Sequence, residues 1–383
     1  MIGALPDFRL ETWFSRWEFA AAHSFTASDA QTMTVADLLG LAGRSVEDIA
    51  GIDLGYRPTY GTRELRDAVA AQYDVVTSDD VLAFAGAQEA LFWLLAELLR
   101  DGGHAVVTVP NYQSVETVPL ASPASVSGLP LWTGTGADLR WTLDLDRLVS
   151  LLRPDTRVVA VNFPNNPTGF VPDQDTFRAL AHLCHERGIV LVSDEVYRGI
   201  EVDPAATLPH AADLTPSAVS VNVMSKSYGL PGLRVGWVAT QDRALLDRLE
   251  RRKHYTSICN PGLTEHLAAI ALGVGGAIHA RNRAIVAANI TLVREFFAEY
   301  PDRFEFEAPT GGCVSFPRYL GAEGPDVFAR RAIEEAGVLT LPASIYASAL
   351  ADVPNDRFRI GFGRTSLPTT LEALRTHLEQ QPS

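Results

Sequence analysis

The sequence contains no apolar run close to the roughly 20 residues that a bilayer-spanning helix needs, so a membrane partner is not expected. Cysteine is scarce: Cys184, Cys259 and Cys313 are far apart and odd in number, a pattern of reduced thiols rather than of a disulfide framework. Positive charge is short as well, with 32 Lys and Arg against 46 Asp and Glu. The resulting formal net charge of −14 argues against non-specific nucleic-acid binding. The opening stretch MIGALPDFRLETWF has neither a basic n-region nor an apolar h-region, so no secretory signal is expected and a cytoplasmic location is. No low-complexity segment and no internal period of the solenoid kind is present. His182, Cys184, His185 and Glu186 are spaced as metal ligands can be, but no second ligand pair stands nearby. They read as one face of a solvated helix, and no metal is expected.

What is present is length and alternation. The 383 residues, 47% of them hydrophobic, suffice for one large core and a smaller domain. Short apolar runs at 81–84, 105–109, 157–162, 189–193, 219–223 and 235–239 are separated by helical patterns at 88–100, 143–152 and 174–187. Such alternation predicts an α/β fold with a largely parallel sheet covered on both faces. The last two runs are joined by a loop too short for a helical crossover, so they are expected to be antiparallel neighbours. Helices are expected at 62–72, 242–254 and 282–299, and an α+β region at about 285–383, with strands at 304–307, 313–317, 338–341 and 358–362 and helices at 326–336 and 369–380. The aromatic-rich stretch 13–25 is expected to lie across another surface.

The loop within 223–237, VMSKSYGLPGLRVGW, is where chemistry is expected. Lys226 lies between Ser225 and Ser227, Gly229, Pro231 and Gly232 force a tight turn, and Arg234 follows. Glycines let backbone approach a ligand, and a guanidinium matches a phosphate with two parallel hydrogen bonds. A desolvated amine beside a bound phosphate suits an aldehyde cofactor, which it captures as a Schiff base. For a bare Ser-Lys pair the plain alternative is a surface lysine.

In open α/β sheets ligands sit outside the carboxyl ends of the strands, and the polar clusters of this chain follow its strands. Gly86-Ala87-Gln88 opens a helix whose free N–H groups suit an anion, or makes an ordinary turn. Tyr112 offers a flat ring for stacking, or a rim tyrosine. Asn165 and Asn166 stand between Pro164 and Pro167 in a rigid turn. Asp194 is a carboxylate at a buried strand end, which needs a cationic partner, and Tyr197 brings a phenol to the same place.

These motifs resemble those of the fold-type I, pyridoxal-phosphate-dependent aminotransferases of classes I and II. The matching residues are Tyr56-x-Pro58-x-x-Gly61-x-x-x-Leu65-Arg66, Gly86-Ala87-Gln88, Pro110-x-Tyr112, Asn165-Asn166-Pro167-Thr168-Gly169, Asp194-Glu195-x-Tyr197, Ser225-Lys226-x-x-Gly229-x-x-Gly232-x-Arg234-x-Gly236 and Phe358-Arg359-Ile360. The resemblance implies an N-terminal segment (1–50) on the small domain and active site, a large cofactor-binding domain (51–285) and a small C-terminal domain (286–383). It implies that Lys226 forms a Schiff base with pyridoxal 5′-phosphate and moves the substrate Cα proton. Asp194 would pair with the ring nitrogen, while Tyr197 and Asn166 hydrogen-bond the phenolic oxygen and Tyr112 stacks on the ring. Backbone groups of Ala87 and Gln88, with Ser225 and Arg234, would hold the phosphate. Tyr56 would reach the phosphate of a neighbouring subunit in a homodimer, and Arg359 would clamp the substrate α-carboxylate. The implied reaction moves an amino group between an L-amino acid and a 2-oxo acid.

The lead segment, with Trp17-Glu18-Phe19 and Ser28-Asp29-Ala30, resembles a subgroup that handles arginine-like amino acids in natural-product pathways, including capreomycidine synthase and pyridoxal-phosphate-dependent arginine oxidases. Glu18 and Asp29 are then expected to bind a cationic side chain. Alternatively, Glu18 merely solvates a helix and Asp29 is an N-cap before a helix at 32–39. A lyase, cyclase or oxidase using the same cofactor is the alternative chemistry, because bond orientation and solvent access decide it. A regulator carrying this fold behind a DNA-binding domain fits the acidic charge poorly.

Overall fold

The computed structural model describes residues 3–380, so the first two residues of the stretch read for a signal lie outside the described residues. Seven strands form the central sheet: β1 (Val81–Phe84), β2 (His104–Val109), β3 (Ser125–Pro130), β4 (Thr156–Asn162), β5 (Val190–Asp194), β6 (Val219–Val223) and β7 (Gly236–Ala239). Their order across the sheet is β1-β7-β6-β5-β4-β2-β3. Only β7 runs against its neighbours, pairing Gly236 with both Phe84 and Val223. The other pairs are parallel. Every residue of β1, β2, β6 and β7 is buried, as a sheet covered by helices on both faces requires.

Six of the seven strands lie where the apolar runs predict, and the antiparallel hairpin around the lysine loop forms as expected. The sequence reading missed β3, whose SVSGLP carries little β-forming character. It also missed the helix Ser114–Leu120, which has a proline inside it, and the helix Gly262–Gly273, which is buried almost all round and so lacks a polar stripe. The helix expected at 282–299 begins earlier and runs over Gly275–Ala298. No single helix among the described residues is long and apolar enough to cross a membrane.

The lead segment does lie across another surface. Its helix α1 (Arg9–Trp17) buries Leu10 among Phe316, Leu341 and Tyr346, with Trp13, Phe14 and Tyr112 at the edge. Further on, His23–Ser24 adds a parallel strand to Val338–Leu339, and Gly361 N donates to Phe25 O at 2.9 Å. A Cβ on Gly361 would collide with the Ala27 carbonyl, so this crossing depends on the missing side chain.

Beneath the lysine loop, the buried Lys253 ammonium donates to Thr59 O and Ala83 O at 2.7 Å and to Asn260 Oδ1 at 3.0 Å. Asn260 in turn donates to Phe84 O at 2.8 Å and Arg234 O at 3.2 Å, tying the end of β1 to the loop. Replacing the lysine strands three acceptors at once, two of them buried. Lys253→Met is expected to lower unfolding free energy by roughly 2–3 kcal/mol, read as a fall in the urea midpoint at unchanged slope.

Candidate active site

The loop between β6 and β7 and the end of β1 build one end of the site. Helix α2 (Ala87–Leu98) starts from Gly86, which sits at φ 96° and provides no side-chain cap. The first-turn N–H groups of Ala87 and Gln88 are thus available to an anion. Arg234, itself at φ 52°, donates to Ala85 O at 3.3 Å, Pro231 O at 3.2 Å and Ser225 Oγ at 3.4 Å. A Cβ on Gly86 would run into that guanidinium. The Gln88 side-chain oxygen accepts from Ser114 Oγ at 2.9 Å.

Lys226 and Lys253 are the only lysines in the sequence. Lys253 is committed to structure, which leaves Lys226 as the one side-chain amine for covalent work. Its Nζ donates to Ser28 Oγ at 2.8 Å, and burial lowers its pKa, which favours the nucleophilic free amine. Asp194, at the end of β5 and 5% exposed, receives Val196 N at 3.2 Å, and Asn162 Nδ2 holds its backbone carbonyl at 3.0 Å. Among the described residues no basic side chain comes within ion-pair distance of its carboxylate, and burial pushes its pKa up to about 7. Tyr197 Oη is buried without a well-formed hydrogen bond, although the Ser28 hydroxyl is near enough to bear on it. Tyr112 lies within the electrostatic reach of Asp194 and Tyr197, and its Oη donates to Glu11 Oε1 at 2.7 Å.

Arg359 forms the opposite end. It is 1% exposed, yet among the described residues no carboxylate lies within ion-pair distance of it. It donates to Thr26 Oγ1 and Asn166 Oδ1 at 3.1 Å and to Tyr346 Oη and Thr26 O at 2.8 Å, with Phe14 5.7 Å beneath. Asn166 is itself held by its N–H on Asn162 Oδ1 at 2.8 Å.

The cleft therefore holds an unpaired acid, an unpaired guanidinium, an orphaned phenol, a free amine and an uncapped helix start. A phosphorylated, cationic pyridine aldehyde fits that set: ring nitrogen for Asp194, phenolic oxygen for Tyr197 and phosphate for the helix start. The structure thus brings Lys226, Asp194, Tyr197, Tyr112, Asn166 and Arg359 together, with Ala87, Ser225 and Arg234 at the anion end. Tyr56 is not among them; it is 89% exposed on the surface of this chain.

At the rim, Asp29 is not an N-cap. That helix starts later, at Val35, capped by Thr34 and Asp37. Both Asp29 oxygens instead receive Arg364, at 2.7 and 2.8 Å. Glu18 is exposed after α1, and its pKa is raised by burial of its carboxylate and then by Asp29 and Glu11. Sequence reasoning missed Glu11, Thr26, Ser28 and Tyr346 as site neighbours. Only Ser28 carried a signal, through its place beside Asp29.

A parallel sheet with the lysine loop in its one antiparallel hairpin, facing a strand-end carboxylate, defines the fold-type I class of pyridoxal-phosphate enzymes. The chain belongs to the class I and II aminotransferase family, whose model matches residues 31–376, and pyridoxal 5′-phosphate is its cofactor. It is 31% identical to capreomycidine synthase of Streptomyces vinaceus, over 98% of this chain and 94% of that protein. It is also 31% identical to the L-aspartate:5-guanidino-3-methyl-2-oxopentanoate transaminase of Pseudomonas syringae pv. syringae, over 85% and 81% of the two chains. The solved structure of the PLP-dependent cyclase OrfR superposes with a TM-score of 0.88 at 25% identity, covering 99% of this chain and 98% of that one.

The raised Asp194 pKa has a consequence for the cofactor-free protein. The folded state holds a proton on Asp194 up to about pH 7, whereas the unfolded chain releases it near 3.8, the ordinary value for an aspartate. Stability from this group is complete below the unfolded value and is lost as pH rises through the folded one. Asp194→Asn removes that loss. Cofactor-free variant and parent should melt together near pH 4, with the variant melting higher by pH 8, as differential scanning calorimetry can check.

Proposed function

We propose that the protein is an aminotransferase acting on an L-amino acid with a cationic, guanidino-type side chain and returning the amino group to a 2-oxo acid. When bound, pyridoxal phosphate supplies an aldehyde for the amine and a ring that accepts the electron pair left at the substrate Cα. The residues of this chain do the rest. Lys226 Nζ takes the Cα proton and redelivers it, with Ser28 Oγ as its resting partner. Asp194 keeps a proton on the ring nitrogen, and the buried cleft strengthens that pairing. Tyr197 and Asn166 steady the phenolic oxygen, Tyr112 covers one ring face, and Ala87, Gln88, Ser225 and Arg234 hold the phosphate. Arg359 takes the α-carboxylate and so orients the Cα–H bond toward the lysine.

The observation that carries the side-chain assignment is the state of the three rim acids. Asp29 is matched by Arg364 and Glu11 is engaged by the Tyr112 hydroxyl. Glu18 has no cation within ion-pair distance among the described residues, and its carboxylate is close enough to Lys226 to feel its charge. A substrate clamped at Arg359 with its Cα over Lys226 would send a long basic side chain toward Glu18. The guanidino compound in the name of the transaminase relative supports the same class.

The similarity to a PLP-dependent cyclase favours one second reading, non-transaminating chemistry on the same kind of substrate. Mixing holoenzyme with arginine alone separates the two. Transfer predicts stoichiometric loss of the aldehyde-form absorbance with release of the 2-oxo acid. Full retention of that absorbance, with ammonia, a cyclised product or oxygen uptake instead, would replace the proposed reaction.

The exposed Tyr56, with Leu54 and Tyr255 also open to solvent, supports a homodimer in which Tyr56 serves the partner's phosphate. Glu18→Gln is expected to raise KM for arginine tenfold or more while changing KM for a neutral amino acid less than twofold, since a charge-assisted bond contributes about 1.5–3 kcal/mol. Asp29→Asn, which frees Arg364, should disturb both substrates alike. Steady-state kinetics on the two substrates decide this, and equal KM effects of Glu18→Gln would remove Glu18 from the assignment.

A further inference from the structure

Glu195 is a second deeply buried acid, next to Asp194 in the chain and directed elsewhere. Successive side chains at a strand end point to opposite faces, so Asp194 meets the cleft and Glu195 the far side. There both oxygens are engaged: Glu195 Oε1 accepts from Ala211 N at 2.9 Å and Ser220 Oγ at 2.7 Å, and Oε2 meets His210 Nδ1 at 2.5 Å. His210 is buried in its turn, stacked on the Tyr73 ring at 4.0 Å and 28°, while Tyr73 Oη accepts from Trp237 Nε1 at 3.0 Å. His210 Nε2 is buried without a hydrogen-bond partner among the described residues. This is a costly arrangement in a dry interior, and packing alone does not call for it.

Two adjacent buried carboxylates also oppose each other's ionisation, and Glu195 is one of the groups that hold Asp194 toward its neutral form. Other charged groups are already occupied. Lys226 faces Asp194 from the cleft. Arg198 and Asp213 act on Tyr73 from the outside, with Arg198 Nε on Leu208 O at 3.0 Å and Asp213 receiving the Asp74 and Val75 N–H groups at 3.0 and 2.9 Å. Among the described residues, only His210 meets the Glu195 carboxylate with a side chain able to carry positive charge.

We propose that His210 is a positioning residue for the cofactor: by pinning and compensating Glu195, it leaves Asp194 as the one negative charge presented to the ring nitrogen. The proposal rests on the cofactor site assigned above and adds to it a control on ring protonation from outside the cleft. Removing His210 leaves Glu195 uncompensated, favours a proton on Asp194 and withdraws it from the ring nitrogen.

The test uses holoenzyme and reads the cofactor rather than turnover. His210→Phe keeps a ring on Tyr73. It is expected to move the pH midpoint of the bound cofactor's absorbance change upward by about one unit. The ring-nitrogen NMR signal of isotopically labelled pyridoxal phosphate should shift toward the unprotonated position. Adding Glu195→Gln removes the charge that needs compensating, so the double variant should return both readings toward the parent, which a purely structural role for His210 would not produce. Should His210→Phe fail to fold, Glu195→Gln alone is expected to lower the absorbance midpoint. An unchanged midpoint in folded, cofactor-loaded His210→Phe overturns the proposal, as does a double variant no closer to the parent, or an unmoved Glu195→Gln. Failure of the parent protein to bind pyridoxal phosphate would instead overturn the site assignment itself.

Discussion

A buried carboxylate without a basic partner is the constraint on which the cleft depends. Asp194 ends β5 where neighbouring backbone, one N–H and the Asn162 amide hold it in place but leave its charge unanswered. Arg359, across the cleft, is the same problem with the opposite sign. Proteins do not bury charge this way without a ligand to complete it. The two groups are not paired with each other, because Asn166, Tyr346 and Thr26 occupy Arg359. A cofactor with a cationic ring for Asp194 and a substrate with an anionic carboxylate for Arg359 would together resolve both.

The parallel sheet makes this possible by delivering side chains from successive strand ends to one edge. The single antiparallel strand, β7, returns the chain within a short loop, so Lys226 and Arg234 stand at one strand-end edge of the sheet. Lys253 and Asn260 lock the floor of that loop to β1, which places the start of α2 beside Arg234. The lead segment closes the other side: α1 brings Phe14 under Arg359 and Glu11 onto Tyr112, and Ser28 reaches Lys226. The part of the chain most remote in sequence from the lysine therefore supplies its hydrogen-bond partner.

Much of this was legible in the residues. Apolar runs located six strands because buried parallel strands are continuously hydrophobic, and the Gly and Pro content of 229–232 announced a tight loop. Asp194, Tyr197, Lys226, Arg234 and Arg359 stood in motifs with recognisable order. Elements with weak or mixed local character escaped: β3 for its serines and glycine, Ser114–Leu120 for its proline, and Gly262–Gly273 because a helix buried nearly all round shows no stripe. The role expected of Asp29 shifted for another reason. Its partner, Arg364, lies 335 residues away, and no local pattern announces an ion pair of that span.

By itself the sequence determined the class of architecture, the lysine, the strand-end acid and the tight Gly/Pro loop, because each depends on local chemistry: hydrophobic period, turn residues, and a motif confined to a few positions. Tertiary structure alone decided which charges remain unpaired. Tyr346, Thr26 and Glu11 reach the cleft only through long-range packing. The division of the rim acids, with Asp29 spent on Arg364 and Glu18 left without an ion-pair partner among the described residues, follows from where the lead segment crosses the C-terminal strands. Electrostatic pairing depends on distance in space, and distance along the chain says little about that.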